Sequence, residues 1–168
     1  MKASKLMLLV GLCGWGYAAV GQGTLPEILV VAANYKYLKN VGGKEVAVPV
    51  KRLERTAASY DIKSSEYYEE DYDSYFISFS VPEGEILAAY NKDGKLIRTA
   101  EKYQNVQLPV AVSKAVVSRF PNWSISKDTY LVNYYDAGGG QATKKYKLVL
   151  QNGTKRIRVQ VNEQGEFS

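Results

Sequence analysis

The carboxy-terminal part of the chain contains the pattern that most restricts its fold. The stretch YKLVLQNGTKRIRVQV alternates apolar and polar residues on both sides of Asn152-Gly153. Such alternation is typical of strands with one buried face, and Asn-Gly between two of them is a strong signal for a tight hairpin. The predicted buried face consists of Tyr146, Leu148, Leu150, Ile157, Val159 and Val161.

The opposite face of this hairpin carries four cations and no acid. They are Lys145, Lys147, Arg156 and Arg158. Antiparallel sheets commonly leave one face in water, so a solvated surface accounts for them. Like charges on neighbouring strands reduce stability, however, and the same cluster suits an acidic protein or polysaccharide partner. We hypothesise that this face binds an anionic partner.

A second hairpin is predicted earlier in the chain. The run SYFISFSV (74–81) alternates, turns at Pro82-Glu83-Gly84 and returns as EILAAYN before the turn Asp93-Gly94. Further upstream, EILVVAANYKYL (27–38) is rich in β-branched and aromatic residues and predicts a strand, with 45–48 as a short partner.

Two helices are predicted, each with a proline near its first turn. Pro49 begins the first, which continues through VKRLERTAASYDI, and Pro109 begins the second, which Pro121 ends. The apolar positions of the first helix are Val50, Leu53 and Ala57. Those of the second are Val112, Ala115, Val116 and Phe120.

The order helix, strand, hairpin occurs twice, over about 49–98 and 108–168. Two copies of one supersecondary unit predict a single α+β domain over 22–168. We expect an antiparallel sheet of tandem helix-hairpin units, with the helices packed on one face.

The first 21 residues have the composition of a signal peptide. Two lysines precede the apolar run 6–20, and the small residues Ala19 and Gly21 precede a cut before Gln22. This run is shorter than the roughly 20 residues that span a bilayer, so we expect no transmembrane segment in the mature chain. The predicted location is periplasmic or secreted, and the alternative is a buried helix or an uncleaved anchor.

The residue types beyond this leader exclude much catalytic chemistry. No histidine, cysteine or methionine remains, and these supply the usual general base and soft metal ligands. Cleavage removes two of 22 basic residues and none of 17 acidic ones, so the net charge falls from +5 to +3 and does not indicate a nucleic-acid partner. We predict a non-enzymatic protein without a cofactor. The alternatives are a carboxylate-, lysine- or tyrosine-based envelope enzyme and a structural envelope component.

Two short enzyme motifs occur without their usual context. Ser124 and Lys127 have the S-x-x-K spacing, but the accompanying S-D-N and K-T-G motifs are missing. Tyr35 and Lys39 have the Y-x-x-x-K spacing of a reductase pair, which needs a helix and a dinucleotide fold, whereas this segment is predicted as a strand.

An acidic segment is the second candidate binding site. Its acids are Glu66, Glu69, Glu70, Asp71 and Asp73, interleaved with three tyrosines. A solvated linker or strand edge accounts for such a run, and weak Ca²⁺ binding or a basic partner are the alternatives.

Three segments together resemble the PepSY-like, β-lactamase-inhibitor-like family of exported bacterial proteins. They are AAYNKDGKLIRT, LPVAVSKAVVSRFPNW and the final hairpin, and the resemblance covers about Tyr75 to Phe167. It implies a signal peptide, a tandem α/β unit and binding or inhibition of other proteins, without catalytic residues. Similar chains sometimes carry a nicotinate-nucleotide adenylyltransferase label. The HxGH motif of that class requires histidine, and this chain has none.

Overall fold

The computed structural model describes residues 34–168, which form a six-stranded antiparallel sheet with three α-helices. The helices are α1 (Tyr35–Val41), α2 (Val48–Ser59) and α3 (Val110–Arg119). The strands are β1 (Ser74–Val81), β2 (Gly84–Asn91), β3 (Leu96–Gln104), β4 (Ser124–Tyr135), β5 (Gln141–Asn152) and β6 (Lys155–Asn162). The mixed α+β class is confirmed, while the predicted signal peptide lies outside the described residues.

The strands follow one another across the sheet in chain order, so β1 and β6 form its edges. Both predicted hairpins are confirmed. In the second, Asn152 pairs with Lys155, so the turn is centred on Gly153-Thr154, one residue later than the Asn-Gly signal indicates. Gly153 has a φ of 58°, which a two-residue hairpin turn with glycine first requires.

The strand register places the buried residues on a common face of the sheet. Tyr75 pairs with Tyr90, for example, and Tyr130 pairs with Tyr146. The buried apolar strand residues of this face are Tyr75, Ile86, Ala88, Tyr90, Leu96, Tyr103, Tyr130, Val132, Tyr134, Tyr146, Leu148, Leu150 and Val161. The opposite side of the sheet, called here the open face, carries the side chains that alternate with these along each strand.

Both predicted helices are present, and polar contacts fix them at specific points. The predicted apolar positions of α2 are buried, and the Tyr90 hydroxyl donates to the Ala57 carbonyl over 2.6 Å. In α3 Val112 and Val116 are buried. The Glu45 carboxylate accepts the Val110 N–H over 3.0 Å, which places a negative charge at the amino end of α3, where the helix dipole favours it.

The predicted strand over 27–38 is wrong where the structure describes it, because residues 35–38 belong to α1. Tyr37 and Val41, one helical turn apart, are both buried, and the Tyr37 hydroxyl donates to Glu101 over 2.8 Å. Tertiary contacts therefore override the strand preference of the aromatic residues. The predicted partner strand over 45–48 is also wrong: it leads into α2, with Val46 and Ala47 buried.

Strand β3 is the element that the sequence pattern does not reveal. Its inward positions include the polar residues Thr99 and Glu101, so the usual apolar alternation is hidden. This strand places a carboxylate in the core.

None of the helices within 34–168 has the length and hydropathy required to cross a membrane.

Candidate anion-binding groove

A groove of about 660 Å³ lies where β4, β5 and β6 meet the end of α3. Its charged side chains are Arg119, Lys127, Lys147 and Arg158, and we call this feature the basic groove. No aspartate or glutamate side chain lines it. The groove therefore concentrates positive charge in a concave surface.

The strand register sets the positions of three of these cations. One row across the strands consists of Thr129, Lys147 and Gln160. The next row consists of Lys127, Val149 and Arg158. Residues two apart along a strand are about 6.8 Å apart, and neighbouring strands are about 4.8 Å apart. The cations thus form a small regular array on the open face.

A β-bulge adds polar groups to this array. The register shifts between Ile125 and Lys127, so the chain gains one extra residue, Ser126, opposite Val149. Ser126 and Lys127 both line a neighbouring hollow of about 510 Å³ on the open face. Bulges often redirect side chains beside binding sites, and this one keeps two successive polar residues on the open face.

The fourth cation comes from the other wall of the groove. The Arg119 guanidinium lies 4.7 Å from the ring centre of Phe167 and 5.8 Å from that of Phe120. The two rings meet edge to face, with their centres 5.6 Å apart. Phe167 is attached to the β6 edge by a bridge to Val161, so aromatic packing holds Arg119 beside the strands.

The four cations have no anionic partner among residues 34–168. The two ion pairs in that part of the chain are Lys95 with Asp136, and Lys144 with Glu163. Thr129 and Gln160 supply neutral hydrogen-bonding groups to the groove. Unpaired cations beside such groups are suited to attract and orient an anion.

The structure brings together part of the predicted basic cluster. Lys147 and Arg158 line the basic groove, and Arg156 lines the adjoining hollow with Lys127. Lys145 is separate, because it shares another hollow with Glu85 and Lys102.

The sequence patterns do not assign Lys127 or Arg119 to the basic cluster. The sequence predicts a strand only over YLVNYY (130–135), which begins six residues after the start of β4, although Lys127 and Thr129 continue the outward alternation. Arg119 ends a helix that the sequence does predict. Its position beside the hairpin depends on tertiary packing, for which the sequence offers no local signal.

The acidic segment, residues 66–73, lies between a short 3₁₀ helix (Ile62–Ser64) and β1. All five of its acids are exposed. The Tyr68 and Tyr75 rings stack with centres 5.5 Å apart, and the Tyr75 hydroxyl donates to the Glu69 carbonyl. Within the described residues no three acids are grouped so that they could hold a metal ion, so the geometry gives the calcium interpretation no support.

A buried polar cluster lies in the core, on the other face of the sheet. Glu101, which is 3% exposed, accepts hydrogen bonds from the hydroxyls of Tyr37, Thr99 and Tyr103 over 2.7 to 2.9 Å. Burial raises the pKa of Glu101, and these hydrogen bonds oppose the shift. The three hydroxyls satisfy a carboxylate that would otherwise be costly to bury.

Glu54, on α2, is the less satisfied member of this cluster. It is 2% exposed, and its Oε1 atom has no hydrogen-bond partner. Burial, followed by the nearby negative charge of Glu101, raises the pKa of Glu54 to about 8. A protonated Glu54 is therefore favoured at neutral pH. The sequence analysis did not single out this cluster, although Glu54 stands at helical spacing from Val50 and Ala57, on the apolar face of α2.

Of the residues in the two short enzyme motifs, Lys127 alone lines the basic groove. The Ser124 hydroxyl donates to the Gln151 carbonyl over 3.2 Å, at the start of β4. Tyr35 and Lys39 lie on α1, so the strand-based reason for rejecting that pair is wrong. The sheet beside them is antiparallel throughout the described residues and has no parallel dinucleotide-binding unit.

No family model matches the chain, and no curated protein or solved structure matches it significantly. The resemblance to PepSY-like exported proteins therefore stays a prediction.

Proposed function

We propose that this chain is a non-enzymatic binding module that recognises an anionic protein or polysaccharide surface through the basic groove. The observation that carries the proposal is a concave site with four cations and no acidic side chain. Their unpaired state supports it further, because a purely solvated surface gains stability from interspersed acids, and no aspartate or glutamate within residues 34–168 forms an ion pair with these four cations.

The arrangement of the cations favours a ligand with repeated negative groups. Lys147 lies in one row across the strands, and Lys127 and Arg158 lie in the next. Arg156 continues the positive surface into the adjoining hollow. A single small anion would contact one or two of these groups, whereas an extended anionic chain can contact all of them.

The buried acids support a non-enzymatic role. The two glutamates with raised pKa values, Glu54 and Glu101, are the groups that would suit acid–base chemistry. They are 2% and 3% exposed and neither of them lines the groove, so a substrate in the groove would not contact them.

The wider setting is also a proposal. The leader pattern and the family resemblance support an exported envelope protein with a binding or inhibitory role.

We further infer that the fold consists of two copies of one helix-hairpin unit with the helices on one face of the sheet. The element order supports this, because α2 and α3 are each followed by three consecutive strands.

Polyanion binding to a groove variant tests the proposed function. The triple substitution Lys127→Gln, Lys147→Gln and Arg158→Gln removes three exposed cations and breaks no ion pair. With poly-glutamate and polygalacturonate as probes, we expect affinity at low salt to fall at least about tenfold. The salt dependence of binding should also become weaker, because fewer charges are neutralised.

A matched control separates the groove from net charge. The substitutions Lys39→Gln, Arg52→Gln and Arg55→Gln remove the same charge from exposed positions on α1 and α2. We expect this variant to bind almost as well as the parent. Equal losses in the two triple variants, or unchanged binding by the groove variant, would refute a role for the groove. The single substitution Lys145→Gln, at a site beside Glu85, should change the affinity for these polyanions very little.

A further inference from the structure

Two surfaces of opposite charge lie at opposite edges of the sheet. The acidic segment immediately precedes β1, which is one edge strand, and the basic groove lies over β4 to β6 at the other edge. Neither surface forms an ion pair among residues 34–168. Both are therefore free to interact electrostatically with another molecule.

The two surfaces cannot neutralise each other within one molecule. Between β1 and β5, which carries Lys147, there are four strand spacings of about 4.8 Å each, or about 19 Å. The acidic segment is also fixed beside β1, since Tyr68 stacks on Tyr75 and the Tyr75 hydroxyl binds the Glu69 carbonyl. Contact between the two surfaces requires a second molecule.

We propose that the acidic segment of a second copy of this chain occupies the basic groove. This inference rests on the proposed function and names the anionic partner. The contact joins two different surfaces, so it is head-to-tail and leaves a free groove at one end and a free acidic segment at the other. Association then continues into a ring or an open chain of copies.

The chemistry of the two surfaces is complementary beyond the sign of their charge. The segment presents five exposed carboxylates within eight residues to a groove with four cations. Tyr67 and Tyr72 are 60% and 53% exposed beside those carboxylates. The groove offers the Phe167 ring and the Arg119 guanidinium, which pack favourably against aromatic rings. An acidic, tyrosine-rich segment suits this site better than an acidic chain without aromatic groups.

Two complementary variants test the inference. One is the groove variant described above. The other, the acidic-segment variant, replaces Glu66, Glu69 and Glu70 with glutamine and Asp71 and Asp73 with asparagine. These changes keep the backbone carbonyl that binds Tyr75, so the segment should remain attached to β1. Circular dichroism and thermal unfolding check that both variants are folded.

Sedimentation velocity at low and high salt measures the assembly. We expect the parent protein to associate at about 20 mM salt and to dissociate at about 500 mM, where charges are screened within a few ångströms. Each variant alone should be monomeric. An equimolar mixture should form a 1:1 dimer and no larger species, because it contains one intact groove and one intact acidic segment.

Several results would overturn the inference. A parent protein that stays monomeric at low salt refutes it, as does an acidic-segment variant that associates as strongly as the parent. A mixture of the two variants that remains monomeric also refutes it. Poly-glutamate binding by the acidic-segment variant distinguishes the two proposals. If it binds while the parent does not self-associate, only this inference fails, and if it does not bind, the proposed function fails as well.

Discussion

At the scale of single residues, the core illustrates how partners decide the state of a buried acid. Glu101 and Glu54 are almost equally buried, but three hydroxyl groups donate to Glu101, whereas one oxygen of Glu54 has no partner. The folded state therefore disfavours an ionised Glu54. Such a group makes the stability of the fold depend on pH.

The substitution Glu54→Gln tests this state of protonation. The pKa of Glu54 is about 8 in the folded chain and near 4.5 when unfolded, so its contribution to stability is fully present below about pH 4.5. That contribution is lost as the pH rises through 8. Between pH 5 and 9 we expect the free energy of unfolding of the parent to fall by about 3 to 5 kcal/mol relative to that of the variant.

Urea unfolding at several pH values measures this difference. Glu85→Gln, at an exposed position, serves as the control and should follow the parent. If Glu54→Gln and the parent lose stability in parallel as the pH rises, then Glu54 is already ionised in the folded protein, and the description of the core is wrong.

At the scale of elements, close approach between strands determines which residues the sheet accepts. Gly84 begins β2, and a Cβ atom there would lie 2.5 Å from the Lys102 carbonyl oxygen and 2.4 Å from a Tyr103 ring carbon. Gly153 differs, since its φ is 58° but the space around it is open. The first glycine is required by packing and the second by backbone conformation.

Alanine substitutions at these glycines should therefore have different costs. We expect Gly84→Ala to destabilise by about 2 to 3 kcal/mol, because β2 and β3 must separate around a backbone oxygen that cannot rotate away. Gly153→Ala should cost about 1 kcal/mol through its left-handed conformation alone. Chemical denaturation of both variants measures the two losses in the free energy of unfolding. A larger loss for Gly153→Ala than for Gly84→Ala would contradict this expectation.

At the scale of the whole molecule, the sequence predicted the elements with the clearest periodicity. The two hairpins and the helices α2 and α3 follow from local patterns. Helix α1 and strand β3 do not, because Tyr37 and Glu101 satisfy each other across 64 residues, which no local pattern records. Of the four predicted basic residues, Lys147 and Arg158 line the groove. Arg119 also lines it because of tertiary packing, and Lys127 does so because β4 begins before the predicted strand.

The most direct test of the central claim, that the basic groove binds anions, is a backbone NMR titration with poly-glutamate. The acidic-segment variant is the appropriate sample, because self-association does not compete with the probe. We expect chemical-shift changes to concentrate in the second half of α3, in β4 to β6 around Lys127, Lys147 and Arg158, and at Phe167. Changes spread evenly over exposed lysines and arginines, or centred on α1 and α2, would contradict the account.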